Sequence, residues 1–149
     1  MNRIEQFQNE LRDYLISMMP VPWKKIFLFA ECNRGSATYW FCVLEKETGI
    51  VITYESFFSR YDSYQYYKRD INHKLFLLLD DLYQAYVKEY GEDNVWHTIE
   101  FIINENGTFR TYLSYEHMNE GILRFRDSFL KKHLNTEYKY IKGKYPSLE

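Results

Sequence analysis

Two adjacent carboxylates, Asp80 and Asp81, are the arrangement in this chain that most resembles an acid–base pair. They fall within a helical pattern, and neighbouring residues of a helix point about 100° apart, so that the two carboxyl groups do not converge on one atom. We therefore interpret the pair as part of a solvated helix face.

The histidines and cysteines show no pattern of a metal site or a nucleophile. None of the 4 His residues has a metal-ligand spacing to another His or to a Cys, and no CxxC, GxSxG or glycine-rich phosphate loop occurs. Cys32 and Cys42 lie in apolar runs that a turn near Gly35 would not bring opposite each other, which predicts buried free thiols. We predict no catalytic residues, no cofactor and no metal.

The composition bounds the classes of partner. Aromatic residues make up 19 % of the 149 residues, with 15 Tyr and 11 Phe. A tyrosine ring packs while its hydroxyl stays available, which suits a broad contact surface; a Tyr-rich core without any partner is the alternative. The net charge of −2 argues neither for nucleic acid nor for a membrane surface as a partner, and we predict direct binding to neither.

The length and the hydrophobic pattern favour a single domain, residues 1–149, in the cytoplasm. A chain of this size buries a core without disulfides or metals. The first residues form a polar amphipathic stretch and do not have the pattern of a signal peptide. No apolar run approaches the length of a membrane span.

Hydrophobic periodicity predicts an α+β fold. The predicted helices cover residues 3–18, 70–90 and 119–134, and the predicted strands cover 23–32, 38–44 and 50–54, with a short extended piece in the tail. Gly91 is expected to end the second helix, and Asp70 or Asn72 to cap its start. The aromatic stretch 54–67 has no clear periodicity and is expected to be irregular, with rings that cannot all be buried.

Residues 95–116 predict a β-hairpin that turns at Asn106-Gly107. A three-residue loop with Gly107 left-handed pairs Ile103 with Phe109, whereas a two-residue loop would set apolar residues opposite polar ones. The three-residue loop therefore gives one apolar face. We expect a two-layer fold with a largely antiparallel sheet of about five strands and helices packed mainly on one face.

Five segments together resemble one family, the YezG-like immunity proteins, which are antitoxins of LXG-type polymorphic toxins in Gram-positive bacteria. The matching segments are Met19-Pro20 with WKKIFLFAE (23–31), WHTIEF (96–101), GTF (107–109), LSYE (113–116) and YKYI (138–141). The segment from Gly49 to Tyr67 departs most from the family pattern.

The resemblance implies a cytoplasmic protein without an active site that binds and neutralises a secreted nuclease toxin. A non-catalytic ligand-binding or structural domain is the alternative. Aromatic side chains commonly anchor protein interfaces, and acidic ones speed the capture of a basic partner. The predicted anchors are Tyr61, Tyr64, Tyr66 and Tyr67, and the predicted acidic field is Asp80, Asp81, Glu89, Glu92 and Asp93.

Overall fold

The computed structural model describes residues 2–116 and the backbone of residues 139 and 140. The helices are α1 (Arg3–Ser17), α2 (Tyr54–Arg60) and α3 (Lys68–Tyr90), with 3-10 helices at Asp62–Tyr67 and Glu92–Asn94. The strands are β1 (Trp23–Asn33), β2 (Ser36–Glu45), β3 (Ile50–Thr53), β4 (Thr98–Asn104), β5 (Phe109–Ser114) and β6 (Lys139–Tyr140). The predicted helix 119–134 lies outside the described residues.

The strands form one sheet in the order β5-β4-β1-β2-β3-β6. Strands β1 to β5 pair antiparallel with their neighbours, and β6 pairs parallel with β3. Strand β1 lies in the interior of the sheet, and its run from Ile26 to Ala30 is at most 3 % exposed. A strand buried on both faces requires such a continuous apolar run. The predicted α+β class and largely antiparallel sheet are confirmed.

The β4–β5 hairpin has the predicted register. Ile103 lies opposite Phe109, and Ile99 lies opposite Leu113. The Gly107 amide donates to the Asn104 carbonyl at 2.9 Å, and Gly107 has φ 87°. A positive φ is strained for a residue with a Cβ, so glycine is the residue that this turn needs.

Helices α1 and α3 contribute to one core with one face of the sheet. Leu11 and Leu15 of α1 are fully buried, as are Leu75, Leu79 and Leu82 of α3. They belong to the same apolar cluster as Ile26, Leu28, Phe41 and Phe101 of the strands. Each buried leucine contributes about 2 kcal/mol through loss of contact with water, so the helices are held mainly by their apolar stripes.

The aromatic stretch is ordered, and the expectation of an irregular segment was wrong. Residues 54–60 form α2 and residues 62–67 form a 3-10 helix. Phe57 and Phe58 are buried, and the Phe57 ring meets the Phe41 ring edge to face at 5.2 Å. Tyrosine and phenylalanine fill both the buried and the exposed positions, which hides the helical period from a hydrophobicity pattern.

The start of α3 also differs from the prediction. The helix begins at Lys68 without a side-chain cap, and the Lys68 amide instead donates to the Gln65 carbonyl of the preceding 3-10 helix. Asn72 does not cap the helix but accepts hydrogen bonds from the hydroxyls of Tyr39 and Tyr54. A helical turn that runs directly into α3 supplies backbone acceptors, so no side-chain cap is required. Gly91 follows the last residue of α3, as predicted.

No helix within residues 2–116 combines the length and the apolar character that a membrane crossing requires.

Candidate functional site

The predicted anchor tyrosines lie between α2 and α3, in residues 61–67, which we call the tyrosine segment. Tyr66 is 90 % exposed and Tyr67 is 56 % exposed. Tyr61 and Tyr64 are half-buried and pack against the apolar core, where both rings lie beside Phe57. The segment therefore contains two inward rings that attach it to the core and two rings that project into solvent.

A buried carboxylate holds the start of this segment. Glu45, at the end of β2, is 5 % exposed and accepts two hydrogen bonds from Arg60, Nε to Oε2 at 2.8 Å and Nη2 to Oε1 at 2.7 Å. The Thr48 hydroxyl donates to Oε1 at 2.6 Å, and the Tyr61 hydroxyl donates to Oε2. These four donors match the acceptor capacity of one carboxylate, so the buried charge is fully paired.

The electrostatics of Glu45 reflect this pairing. Burial alone would raise its pKa, but the hydrogen bonds from Arg60, Thr48 and Tyr61 and the positive charge of Arg60 lower the pKa to about 2. Burial and the hydrogen bond to Glu45 raise the pKa of Tyr61, which keeps its hydroxyl protonated as a donor. The network is therefore ionised and intact at neutral pH.

Sequence reasoning missed this network. Glu45 and Arg60 are 15 residues apart and belong to different elements, so no local spacing connects them. The one local signal is an acidic residue that ends an otherwise apolar strand. Its burial depends on the packing of α2, which the sequence analysis did not predict.

A cleft of about 380 Å³ lies beside the network. Its lining includes Val21 and Pro22 together with Arg60 and Tyr61 of the network. Arg60 keeps 31 % of its side chain exposed. The wall of the cleft therefore combines apolar surface with guanidinium N–H groups that Glu45 does not occupy.

The predicted acidic residues lie along α3 and just beyond it. Asp80 is half-buried and Asp81 is exposed. Burial raises the pKa of Asp81, and the nearby charges of Asp80 and Glu10 raise it further. Glu89, Glu92 and Asp93 are exposed at the C-terminal end of the helix, and we call these three the acidic end.

The structure separates the acidic end from the tyrosine segment. Residues 61–67 precede the first residue of α3, whereas Glu92 and Asp93 follow its last. A helix of 23 residues is roughly 34 Å long at 1.5 Å per residue. The predicted anchors and the acidic end therefore form two patches at opposite ends of one helix, and Asp80 and Asp81 lie between them.

Other chemistry is limited in the described part of the chain. No group of three His, Cys, Asp or Glu residues there is placed to hold a metal ion. Cys32 and Cys42 are free and buried, as predicted. Burial, with the charges of Asp80 and Glu31, raises the pKa of Cys32 to about 12, so this thiol stays protonated.

The α+β architecture is thus combined with a projecting tyrosine segment and a separate acidic end. The family model described as "Immunity protein YezG-like" matches residues 4–147. The chain therefore belongs to the YezG-like immunity protein family. No curated protein matches the chain significantly.

Proposed function

We propose that this protein is a cytoplasmic antitoxin that binds a cognate secreted nuclease toxin and neutralises it by direct contact. The family match over residues 4–147, with its description as an immunity protein, is the observation that carries this proposal. In this proposal residues 1–149 act as a single binding domain. Neutralisation by contact requires surface complementarity and no catalytic residue of the antitoxin.

The tyrosine segment is the proposed centre of the interface. Tyr66 and Tyr67 expose large rings whose burial by a partner would release much apolar surface from water. Tyr61 and Tyr64 fix the segment from beneath, so that the two exposed rings are presented on an ordered helical backbone. A preorganised anchor loses little conformational entropy on binding and therefore gives more net affinity.

The acidic end has a different proposed role. Nucleases bind a polyanion and carry basic surface, so exposed carboxylates attract them over distances comparable to the Debye length of about 8 Å at physiological salt. Glu89 and Asp93 are exposed, and Glu92 keeps 64 % of its side chain exposed beside Arg34. Such groups increase the association rate more than they increase the affinity.

The proposal is tested by co-expressing this chain with the nuclease domain of the nearest encoded LXG-type toxin. We expect the cells to survive, the two purified proteins to form a stable complex, and DNA cleavage to stop at equimolar antitoxin. A variant with Tyr66→Ala and Tyr67→Ala serves as the matched loss-of-binding control. Continued cleavage in the presence of folded wild-type protein, without a complex, would overturn the proposal.

A further inference from the structure

Strand β5 is the terminal strand of the sheet, and its hydrogen bonds are directed to one side. The Asn104 amide donates to the Thr108 carbonyl at 2.8 Å, which fixes which residue pairs of β4 and β5 exchange hydrogen bonds. Pairs alternate along an antiparallel ladder, so the hydrogen-bonded residues of β5 are Arg110, Tyr112 and Ser114. On the other side of β4, the Cys32 amide donates to the His97 carbonyl at 2.9 Å. Alternate residues from His97 onward therefore bond to β1, and the residues between them bond to β5.

The other residues of β5 direct their backbone groups away from the sheet. Phe109, Thr111 and Leu113 lie opposite Ile103, Phe101 and Ile99 in pairs that do not exchange hydrogen bonds. Their N–H and C=O groups therefore point to the outer edge, where no strand of the described chain pairs with β5. The strand contains no proline and no glycine, and no register shift interrupts its pairing. Such an edge is a template for a further strand.

We propose that the edge of β5 pairs antiparallel with β5 of a second copy of this chain, about a two-fold axis at Thr111. In this register Thr111 lies opposite the partner's Thr111, and Phe109 lies opposite the partner's Leu113. Each of these pairs consists of residues with outward-facing backbone groups, so each pair exchanges two hydrogen bonds. All the outward groups of Phe109, Thr111 and Leu113 are satisfied.

The side chains favour the same register. Arg110 and Tyr112 are exposed on the opposite face of β5 from Phe109 and Leu113, and Tyr112 is 47 % exposed. The two-fold at Thr111 sets Arg110 opposite the partner's Tyr112, where a guanidinium packs on an aromatic ring. On the other face, Phe109 meets the partner's Leu113, so apolar side chains face each other.

The neighbouring antiparallel registers are poorer. A two-fold at position 110 sets Arg110 opposite the partner's Arg110, and like charges directly opposite each other are destabilising. A two-fold at position 112 moves Phe109 out of register with the partner's Leu113. The outward N–H and C=O groups of Phe109 then have no partner within β5. The identity of the occupant therefore follows from the self-complementarity of β5, which does not depend on the proposed antitoxin function.

The expected dimer is weak and depends on concentration. A single six-residue strand pair buries less than the roughly 800 Å² per partner that is usual for a stable complex. Sedimentation velocity over a concentration series of the full chain is therefore the appropriate measurement. We expect the weight-average mass of the wild type to rise from monomer toward dimer.

The register is tested by two sets of variants. Thr111→Pro removes one outward N–H and no hydrogen bond to β4, so it should abolish association and leave folding intact; Thr111→Val keeps the N–H and should associate like the wild type. Tyr112→Lys should weaken association by setting a cation opposite the partner's Arg110. Adding Arg110→Glu to Tyr112→Lys should restore association through an opposite-charge pair.

A wild type that stays monomeric at the highest concentration reached overturns the proposal. Association of Thr111→Pro equal to that of the wild type also overturns it, because the edge of β5 is then not the contact. If Thr111→Pro instead loses binding to the toxin while the wild type alone is monomeric, the edge serves the toxin and not a second copy. Thermal unfolding of each variant verifies that loss of association is not loss of fold.

Discussion

The two ends of α3 differ in how firmly their exposed groups are held. At the N-terminal end, Tyr61 donates to a fully paired, buried Glu45, and the tyrosine segment is built onto the core through inward rings. At the C-terminal end, Glu92 pairs with Arg34 at 3.7 Å, with side chains that are 64 % and 85 % exposed. Exposed ion pairs of this kind contribute about 0–1 kcal/mol.

In the proposed interface, we expect this difference to divide the roles of the two patches. Exposed rings on a backbone that is fixed to the core can contribute affinity, because little backbone order remains to be gained when a partner binds. Solvated charges mainly guide a partner toward contact. The following predictions test whether affinity and rate are separated between the two ends in this way.

Replacing Tyr66 and Tyr67 together by alanine is expected to have the largest effect. The loss of two exposed anchor rings should weaken toxin binding by about 3 kcal/mol, roughly 150-fold in Kd. The free energy of unfolding should change by less than about 0.5 kcal/mol, because both side chains project into solvent. Titration calorimetry and thermal unfolding measure the two quantities.

The matched control is Tyr90→Ala at the other end of α3, where the ring is 55 % exposed and stacks on Tyr86. It should reduce affinity much less than the double substitution. A larger loss of affinity for Tyr90→Ala would show that the C-terminal end of α3 contributes more to binding than the tyrosine segment, and would contradict the proposed division of roles.

Glu45→Gln should lower the free energy of unfolding by about 2 kcal/mol, because it removes charge-assisted hydrogen bonds from Arg60, Thr48 and Tyr61. Urea denaturation measures this change. The control is Glu105→Gln, which removes a half-exposed ion pair with Lys46 at 3.2 Å and should cost less than about 0.5 kcal/mol. Equal effects of the two substitutions would mean that the buried network contributes no more to the free energy of unfolding than a surface ion pair.

The same carboxylate predicts a dependence of stability on pH. Its pKa is about 2 in the folded protein against 4.5 for the ordinary group, so its contribution is fully present above about pH 4.5 and is lost as the pH falls toward 2. The Tm of the wild type should therefore fall more steeply over this acid range than the Tm of Glu45→Gln. Parallel curves for the two proteins would show that Glu45 is not the group responsible.

Neutralising the acidic end is expected to have the smallest effect on affinity. The triple variant Glu89→Gln, Glu92→Gln, Asp93→Asn should slow association with the toxin by up to about tenfold at low salt and leave the dissociation rate unchanged. Stopped-flow kinetics at several salt concentrations measure both rates. A variant that removes the same number of exposed carboxylates from α1, with Glu5→Gln, Glu10→Gln and Asp13→Asn, controls for net charge. A faster dissociation rate in the first variant alone would assign these residues to the bound interface.

The sequence by itself determined the hairpin, the central strand β1 and the stripe of α3. In each case the pattern is local: Asn106-Gly107 selects the turn, the alternation about it selects the register, and an uninterrupted apolar run requires burial on both faces. The segments that resemble the YezG-like family fall largely on these same core positions. They identified the scaffold, and they contain little information about the binding surface.

Tertiary structure alone decided how the candidate site is arranged. Glu45 meets Arg60 because α2 packs its phenylalanines on the core, and α2 was not predicted because exposed tyrosines follow it directly in the same aromatic stretch. Contacts between residues far apart in sequence form only when whole elements pack together, and local sequence patterns do not specify that packing directly.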